Sequence, residues 1–304
     1  MEIPDDLKTL YKHWERHTEE RYSNSKIDLD QTVFEQMYLF ISKRMRVWEK
    51  KQTNVLLPYT TDPILSKYRF CNIYRELDRQ TIEIHTLLKH LEQDFDLWLL
   101  NVIFCRMVCR PETVRQVGFL SYDAEQNKRV FEKLVNLPRP RYGAAYIFPI
   151  SLLKVIELNT REKFFCFYLP QVVEKCAKAI TTLTQAPVSE ALSVVLQSFG
   201  LNFKFHLTEV LIDVAYQYPE YVDLYGHFPV GPGSIPTMKR LNKAKSPEDT
   251  CLALTATRPV NFPYLTLNGK NIWLSAENWE GIGCEFRKYS NLALGNGRKR
   301  RYSA

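Results

Sequence analysis

No apolar run in this chain of 304 residues approaches the roughly 18–20 residues that a bilayer-spanning helix needs. The nearest candidate, "LWLLNVIFCRMVC" (Leu97 to Cys109), is shorter and is interrupted by Arg106, which predicts a helix buried in protein. A secretory core is also missing, because Met1 to Tyr22 is charged throughout. These absences predict a cytoplasmic protein with no membrane partner. The seven cysteines contain no C-x-x-C pair. Cys105 and Cys109 are four apart, but no second pair or nearby histidine completes a metal set. Reduced thiols packed as small apolar groups are expected. His13 and His17 share a helical spacing in polar surroundings, which predicts a solvated face. No H-E-x-x-H, EF-hand or G-x-x-x-x-G-K-[ST] pattern occurs, so the chain is not a P-loop kinase and offers no dedicated metal site. Fixed-period repeats and low-complexity linkers are absent too.

What is present is a 45% hydrophobic composition and a net charge of +7. Part of the excess is clustered, in Lys43, Arg44, Arg46, Lys50 and Lys51 and in "GRKRRY" (Gly297 to Tyr302). Such clusters favour polyanions through phosphate neutralisation, although a charged run can also simply solvate a face.

Helix punctuation dominates the chain. Ser246 is placed to cap a helix with Pro247 in its first turn and Asp249 in a capping-box position. Ser189 precedes an apolar run that Gly200 ends, and "RPETVRQVGFLSYDAEQNKRVFEKLVNLP" reads as two short helices broken near Gly118 and stopped by Pro138. Residues from Pro138 to Pro149 read as a loop. Asn268-Gly269, between strand-like flanks, is the one clear hairpin signal. The expected fold is mainly α, with at most a small β-hairpin. An N-terminal helical extension is expected over residues 1–30 and a single helical domain over 31–304.

Several segments carry polar groups in patterns that chemistry could use. In "RFCNIYRELDRQT" (Arg69 to Thr81), Phe70, Ile73, Tyr74, Leu77, Ile84 and Leu88 share one helical face. Asn72, Arg75, Glu76 and Arg79 share the other, with Asp78 at the border. Arg75 and Arg79 would then stand side by side, an unfavourable pairing unless they share an anionic ligand or Glu76 and Asp78 each neutralise one of them locally. "HFPVGPGSIPTMKRL" (His227 to Leu241) has the form of a helix-hairpin-helix turn near residues 224–245, in which Gly231, Gly233 and Ser234 would face a DNA phosphate and Lys239 and Arg240 would add charge. An ordinary Gly-Pro turn fits the same letters. Glu209 and Asp213 form a like-charge pair on another helix. Ser275 is placed to cap a third, which carries Glu280, Glu285 and Lys288. Paired carboxylates can hold an ammonium, position a base or bind a cation, or they can merely solvate a face.

The run "PYTTDPILSKYRFCNIYRELDRQT" (Pro58 to Thr81) resembles the signature of the alpha-glutamyl/putrescinyl thymine pyrophosphorylase family, whose phage members are called amino acid:DNA transferases. It is also similar to the helical domain that accompanies 5-hydroxymethyluracil DNA kinases. "NVIFCRMVCRPETVRQVG", "LTEVLIDVAY", "VGPGS" and "WEGIGCEFRKY" follow in the same order, then "GNGRKRRY". Cys109, where an Asn is expected, and Arg287, where some relatives carry Asp, depart from the pattern.

The resemblance implies a fold similar to the helix-hairpin-helix DNA glycosylases. It also implies transfer of an amine, an amino acid such as glycine or a polyamine, to pyrophosphorylated 5-hydroxymethyluracil in DNA, with loss of pyrophosphate. The partners implied are DNA containing modified thymine, the amine co-substrate and, through the pathway, a 5-hydroxymethyluracil DNA kinase. No cofactor is certain, and a divalent metal on the pyrophosphate is compatible with the chemistry. On this reading Arg75 and Arg79 share the pyrophosphate, with Asn72 and Arg106 adding donors and Tyr74 either edging the base or packing in the core. Glu285 is the first choice for the base that takes the amine's proton, with Glu280 or Asp78 behind it; for Asp78 a structural role, orienting Arg75, comes ahead of a basic one. Glu209 and Asp213 would bind the incoming ammonium, and Lys288 would complete the substrate set. The alternatives are a DNA glycosylase of the same fold and a non-catalytic DNA-binding partner of a base kinase.

Overall fold

The computed structural model describes residues 1–20, 28–53, 55–259 and 261–296, so the basic "GRKRRY" tail lies outside the described residues. Helices dominate. In chain order they begin with two short turns, α1 (Asp5–Lys8) and α2 (Trp14–His17), and the long α3 (Gln31–Gln52). Next come α4 (Arg79–Leu88), α5 (Phe95–Val108), α6 (Pro111–Val117) and α7 (Ala124–Asn136). The short α8 (Arg161–Lys163) passes through a π turn, Phe164–Tyr168, into α9 (Leu169–Thr181). The strand β1 (Ala186–Pro187) leads into α10 (Val188–Phe199) and α11 (Lys204–Gln217), and β2 (Val222–Asp223) pairs with β1 in parallel. Finally come α12 (Ile235–Leu241), α13 (Pro247–Leu254), the hairpin β3 (Thr266–Leu267) and β4 (Lys270–Asn271), and α14 (Ala276–Ala293). The mainly helical expectation holds, and the small parallel pair β1–β2 joins the expected hairpin.

The chain divides into two compact units. One contains Met1–Lys8, Trp14–Asp78 and the chain from Leu224 onward; the other contains Thr9–His13 and Arg79–Asp223.

In the first unit α3, α12, α13 and α14 pack together. Asp30 caps α3 by accepting the Val33 N–H at 3.0 Å. Val33, Met37, Phe40, Ile41, Arg44, Met45 and Trp48 then repeat at helical spacing on its buried side. Ser275 caps α14 in a reciprocal box with Asn278, and Ser246 caps α13 by accepting the Asp249 N–H. Asn268 and Gly269 take φ of 51° and 77°, the left-handed values that a two-residue hairpin requires. The N-terminal residues pair with that hairpin, Ile3 N–H donating to the Thr266 carbonyl at 3.0 Å.

The second unit is organised around α5, whose residues from Trp98 to Val108 are all buried, as the interrupted apolar run predicts. Packed on α5 are α4, α6, α9 and α11. Gly118 and Gly200 end α6 and α10 with positive φ, as expected of C-terminal glycines. Ser189 lies inside α10 rather than before it, because the cap position belongs to Pro187. All seven cysteines are thiols, five of them buried, as small apolar groups would be. The histidine expectation fails. His13 and His17 are 0% and 4% exposed, and His17 packs edge-on against the Tyr225 ring. No helix among the described residues is long and apolar enough to cross a membrane.

Candidate active site

The largest departure from expectation is the segment from Arg69 to Asp78. Instead of one helix there is extended chain, then a 3₁₀ turn at Arg75–Leu77, and α4 begins only at Arg79. The cause is local. Asp78 Oδ1 accepts both the Asn72 backbone N–H and its Nδ2, each at 2.9 Å, and Asn72 Nδ2 also donates to the Leu77 carbonyl at 2.7 Å. Side-chain hydrogen bonds of this kind offer the backbone an alternative to the helical ladder. The apolar residues are still buried, but each meets a different neighbour. Phe70 packs near Phe40 and Tyr289, while the Tyr74 hydroxyl donates to the Ile272 carbonyl at 2.8 Å. Tyr74 is therefore core.

Arg44 holds this loop from α3. Its Nε donates to the Cys71 carbonyl at 3.0 Å, and its Nη2 donates to the Phe70 carbonyl at 3.2 Å and to Asn72 Oδ1 at 2.5 Å. From α14, Glu285 accepts the Cys71 N–H at 3.2 Å, and Lys288 donates to Glu285 at 3.1 Å and to the Arg69 carbonyl at 2.5 Å. The Lys288 ammonium also lies 4.5 Å above the Phe70 ring. Asp78 is half-buried amid these charges. Burial pushes its carboxyl up to about 6; the Asn72 N–H, Arg44 and Arg75 oppose that rise, and the Glu285 carboxylate reinforces it. The site thus combines a carboxyl pushed up to about 6 with fixed cations and a second carboxylate.

The structure brings together Asn72, Arg75, Asp78, Glu285 and Lys288 of the expected residues. The others have partners of their own. Arg79 does not stand beside Arg75 on a shared helix; it is exposed and paired with Glu83 at 2.7 Å. Arg106 and Asp213 form a buried ion pair, Nε–Oδ2 2.6 Å and Nη2–Oδ1 2.5 Å, joined by Thr81 and by His85 Nε2 at 3.0 Å. Glu209 instead accepts the Tyr146 hydroxyl at 2.6 Å, so Glu209 and Asp213 are not a paired ammonium clamp.

The expected helix-hairpin-helix also changes. Residues 224–234 are irregular, so only the second helix, the seven-residue α12, forms. The Gly231 N–H, expected to face a phosphate, donates to Glu280 at 3.1 Å. Neither Gly231 nor Gly233 has positive φ; they are small so that the loop can approach α14, and a Cβ on Gly233 would lie 2.5 Å from the Cys284 sulfur. Ser234 is buried against Gly283, and Arg287 donates to the Pro232 carbonyl at 2.9 Å. Lys239 and Arg240 are exposed in the last turn of α12.

Arg44 is the residue that charge clustering concealed. It sits in a basic run, yet its spacing of four from Phe40 and three from Ile41 puts it on the apolar side of α3. That spacing was a signal for burial. Replacing Arg44 with lysine removes the forked donors that span two carbonyls and an amide oxygen. We expect a loss of about 1.5–3 kcal/mol of local stability, as for hydrogen bonds to a charged group. Faster hydrogen exchange at the Cys71 and Asn72 amides, with α5 unchanged, is the readout.

A mainly helical chain with a polar site on the loop before α4 defines a class, and comparison gives it a family. Over residues 31–299 the chain matches the family described as 5-hmdU DNA kinase, helical domain, and it belongs to that family. It is similar to the 5-hmdU DNA kinase of Bacillus phage SP10, with 28% identity over 128 residues, 38% of this chain and 20% of that protein. The chain therefore aligns with only 20% of the length of that relative. No solved structure matches.

Proposed function

We propose that this chain is a DNA-base transferase acting on pyrophosphorylated 5-hydroxymethyluracil, in which an amine displaces pyrophosphate from the C5 methylene. The observation that supports this reading best is Asp78, a half-buried carboxyl pushed up to about 6 beside Arg44, Arg75 and Glu285. A displacement of this kind needs a neutral amine and a stabilised leaving group. A carboxylate titrating near the working pH takes the amine's proton effectively. The amine lone pair forms the new C–N bond, the C–O bond to pyrophosphate breaks, and its electron pair leaves with the pyrophosphate. Arg75 and Lys288 supply positive charge where that anion departs. Asn72 and Arg44 position the loop, and Glu285 keeps the Asp78 carboxyl from ionising early. The base role thus passes from Glu285, the first choice on sequence, to Asp78.

Membership in a family named for a DNA kinase, without a P-loop in this chain, also favours a second reading, a non-catalytic DNA-binding module. The two separate in one assay. Purified protein given pyrophosphorylated 5-hydroxymethyluracil DNA and a mixture of amino acids and polyamines should release pyrophosphate and yield an amine-linked nucleoside by mass spectrometry. DNA bound but unchanged would support the module, and abasic sites would support a glycosylase.

A further inference from the structure

We infer that the exposed segment 55–57, which follows α3, is a wedge that enters the base stack of duplex DNA, with the exposed face of α3 as its phosphate track; this rests on the DNA-substrate reading above. Val55, Leu56 and Leu57 are 45%, 87% and 76% exposed. Single surface leucines are ordinary, but three adjacent apolar side chains presented to water on one segment are not favoured by solvation.

Their surroundings select the partner. Arg46 and Lys50 lie four residues apart on one exposed face of α3, next to Lys43, which is ion-paired with Asp62 at 2.9 Å. Four helical residues advance about 6 Å, close to two base-pair steps along a duplex. Lys51 extends the charge toward the segment itself, its ammonium 5.6 Å over the Tyr59 ring. Cations that grip phosphates beside apolar side chains that part a base step are how architectural proteins open DNA. Enclosing the C5 methylene together with an amine and a pyrophosphate is likewise easier once the base has left the stack.

The chain that follows the wedge is anchored to the helices that carry the site. Buried Asp62 accepts the Ile64 and Leu65 N–H groups at 2.9 and 3.0 Å, Lys43 of α3 at 2.9 Å and the Tyr289 hydroxyl of α14 at 2.7 Å. Burial works against its charge, and these hydrogen bonds outweigh it and hold the carboxyl below its ordinary value. Tyr289 directly follows Lys288, and α3 also carries Arg44. The segment that follows the wedge and the reactive loop are therefore tied to the same two helices.

The test uses a duplex containing pyrophosphorylated 5-hydroxymethyluracil with 2-aminopurine as its 3′ neighbour, and the full-length protein. Wild type should bind and brighten the probe as the stack opens. The double variant Leu56→Ser/Leu57→Ser should bind within about twofold, because phosphate contacts supply most of the affinity, yet leave the probe dark. Arg46→Gln/Lys50→Gln should weaken binding and flatten its salt dependence. With single-stranded DNA the leucine variant should match wild type in turnover, while on duplex it should fall roughly a hundredfold, the cost of one unstacked step. Equal brightening by the leucine variant, or binding by wild type with no brightening, would overturn the wedge and leave the transferase reading standing if turnover persists. Loss of vesicle binding in that variant with no DNA effect would overturn it in favour of a lipid surface. No DNA binding by wild type would overturn both readings.

Discussion

Asp78→Asn is expected to reduce amine transfer by at least 10²-fold, the lower end of what a positioned general base contributes, while leaving the protein as stable as wild type or more so near pH 7.5. The two effects have opposite signs for one reason. In the folded chain the carboxyl titrates at about 6, above its ordinary range, because burial disfavours its charge. Between the unfolded value and about 6 the native state holds a proton that the unfolded chain releases. Stability from this group is therefore fully present at low pH and is lost as pH rises through that window. An asparagine removes the charge, keeps an oxygen for the Asn72 N–H and Nδ2, and so relieves that loss. Activity runs the other way, since only the ionised carboxyl accepts a proton. Wild-type rate should rise with pH through about 6, and the variant should lose that limb. A rate profile unchanged by the substitution would reassign the base.

The second large effect lies in the other unit. Asp213→Ala leaves the Arg106 guanidinium, 2% exposed, without its carboxylate. Breaking a buried pair by removing one partner costs about 3–5 kcal/mol, a large share of the 5–15 kcal/mol typical of a folded domain. Urea denaturation should show the midpoint falling sharply. Replacing both partners, Arg106→Met with Asp213→Leu, should recover most of that loss because no uncompensated charge remains. Normal stability with a raised KM for the amine would instead return Asp213 to a ligand role.

The same two places show how much of the molecule was legible in its letters. α5 was legible because an apolar run with caps means the same thing in any context. So were the Ser246 and Ser275 caps, Gly118, Gly200 and the Asn-Gly hairpin, all set by local backbone chemistry. The Arg69–Asp78 segment was not, since Phe70, Ile73, Tyr74 and Leu77 recur at intervals that a helix would also produce. What decides against the helix is the bonding of Asn72 to Asp78 and the grip of Arg44, which depends on chain far from it. The Arg75–Arg79 pairing failed with that helix. Asp213 was misread for a related reason: spacing places it on a helical face, but only the packed unit reveals that Arg106 and His85 meet it there. Part of the site was thus legible as residue types within one signature block, while its geometry came from long-range contacts.

The most direct test is the mass of the nucleoside recovered from pyrophosphorylated 5-hydroxymethyluracil DNA after incubation with amines and either wild type or Asp78→Asn. An amine-linked thymine derivative from wild type, nearly absent with the variant although that variant still binds the DNA, is the predicted result. Unaltered starting base with wild type, or equal product from both proteins, would contradict it.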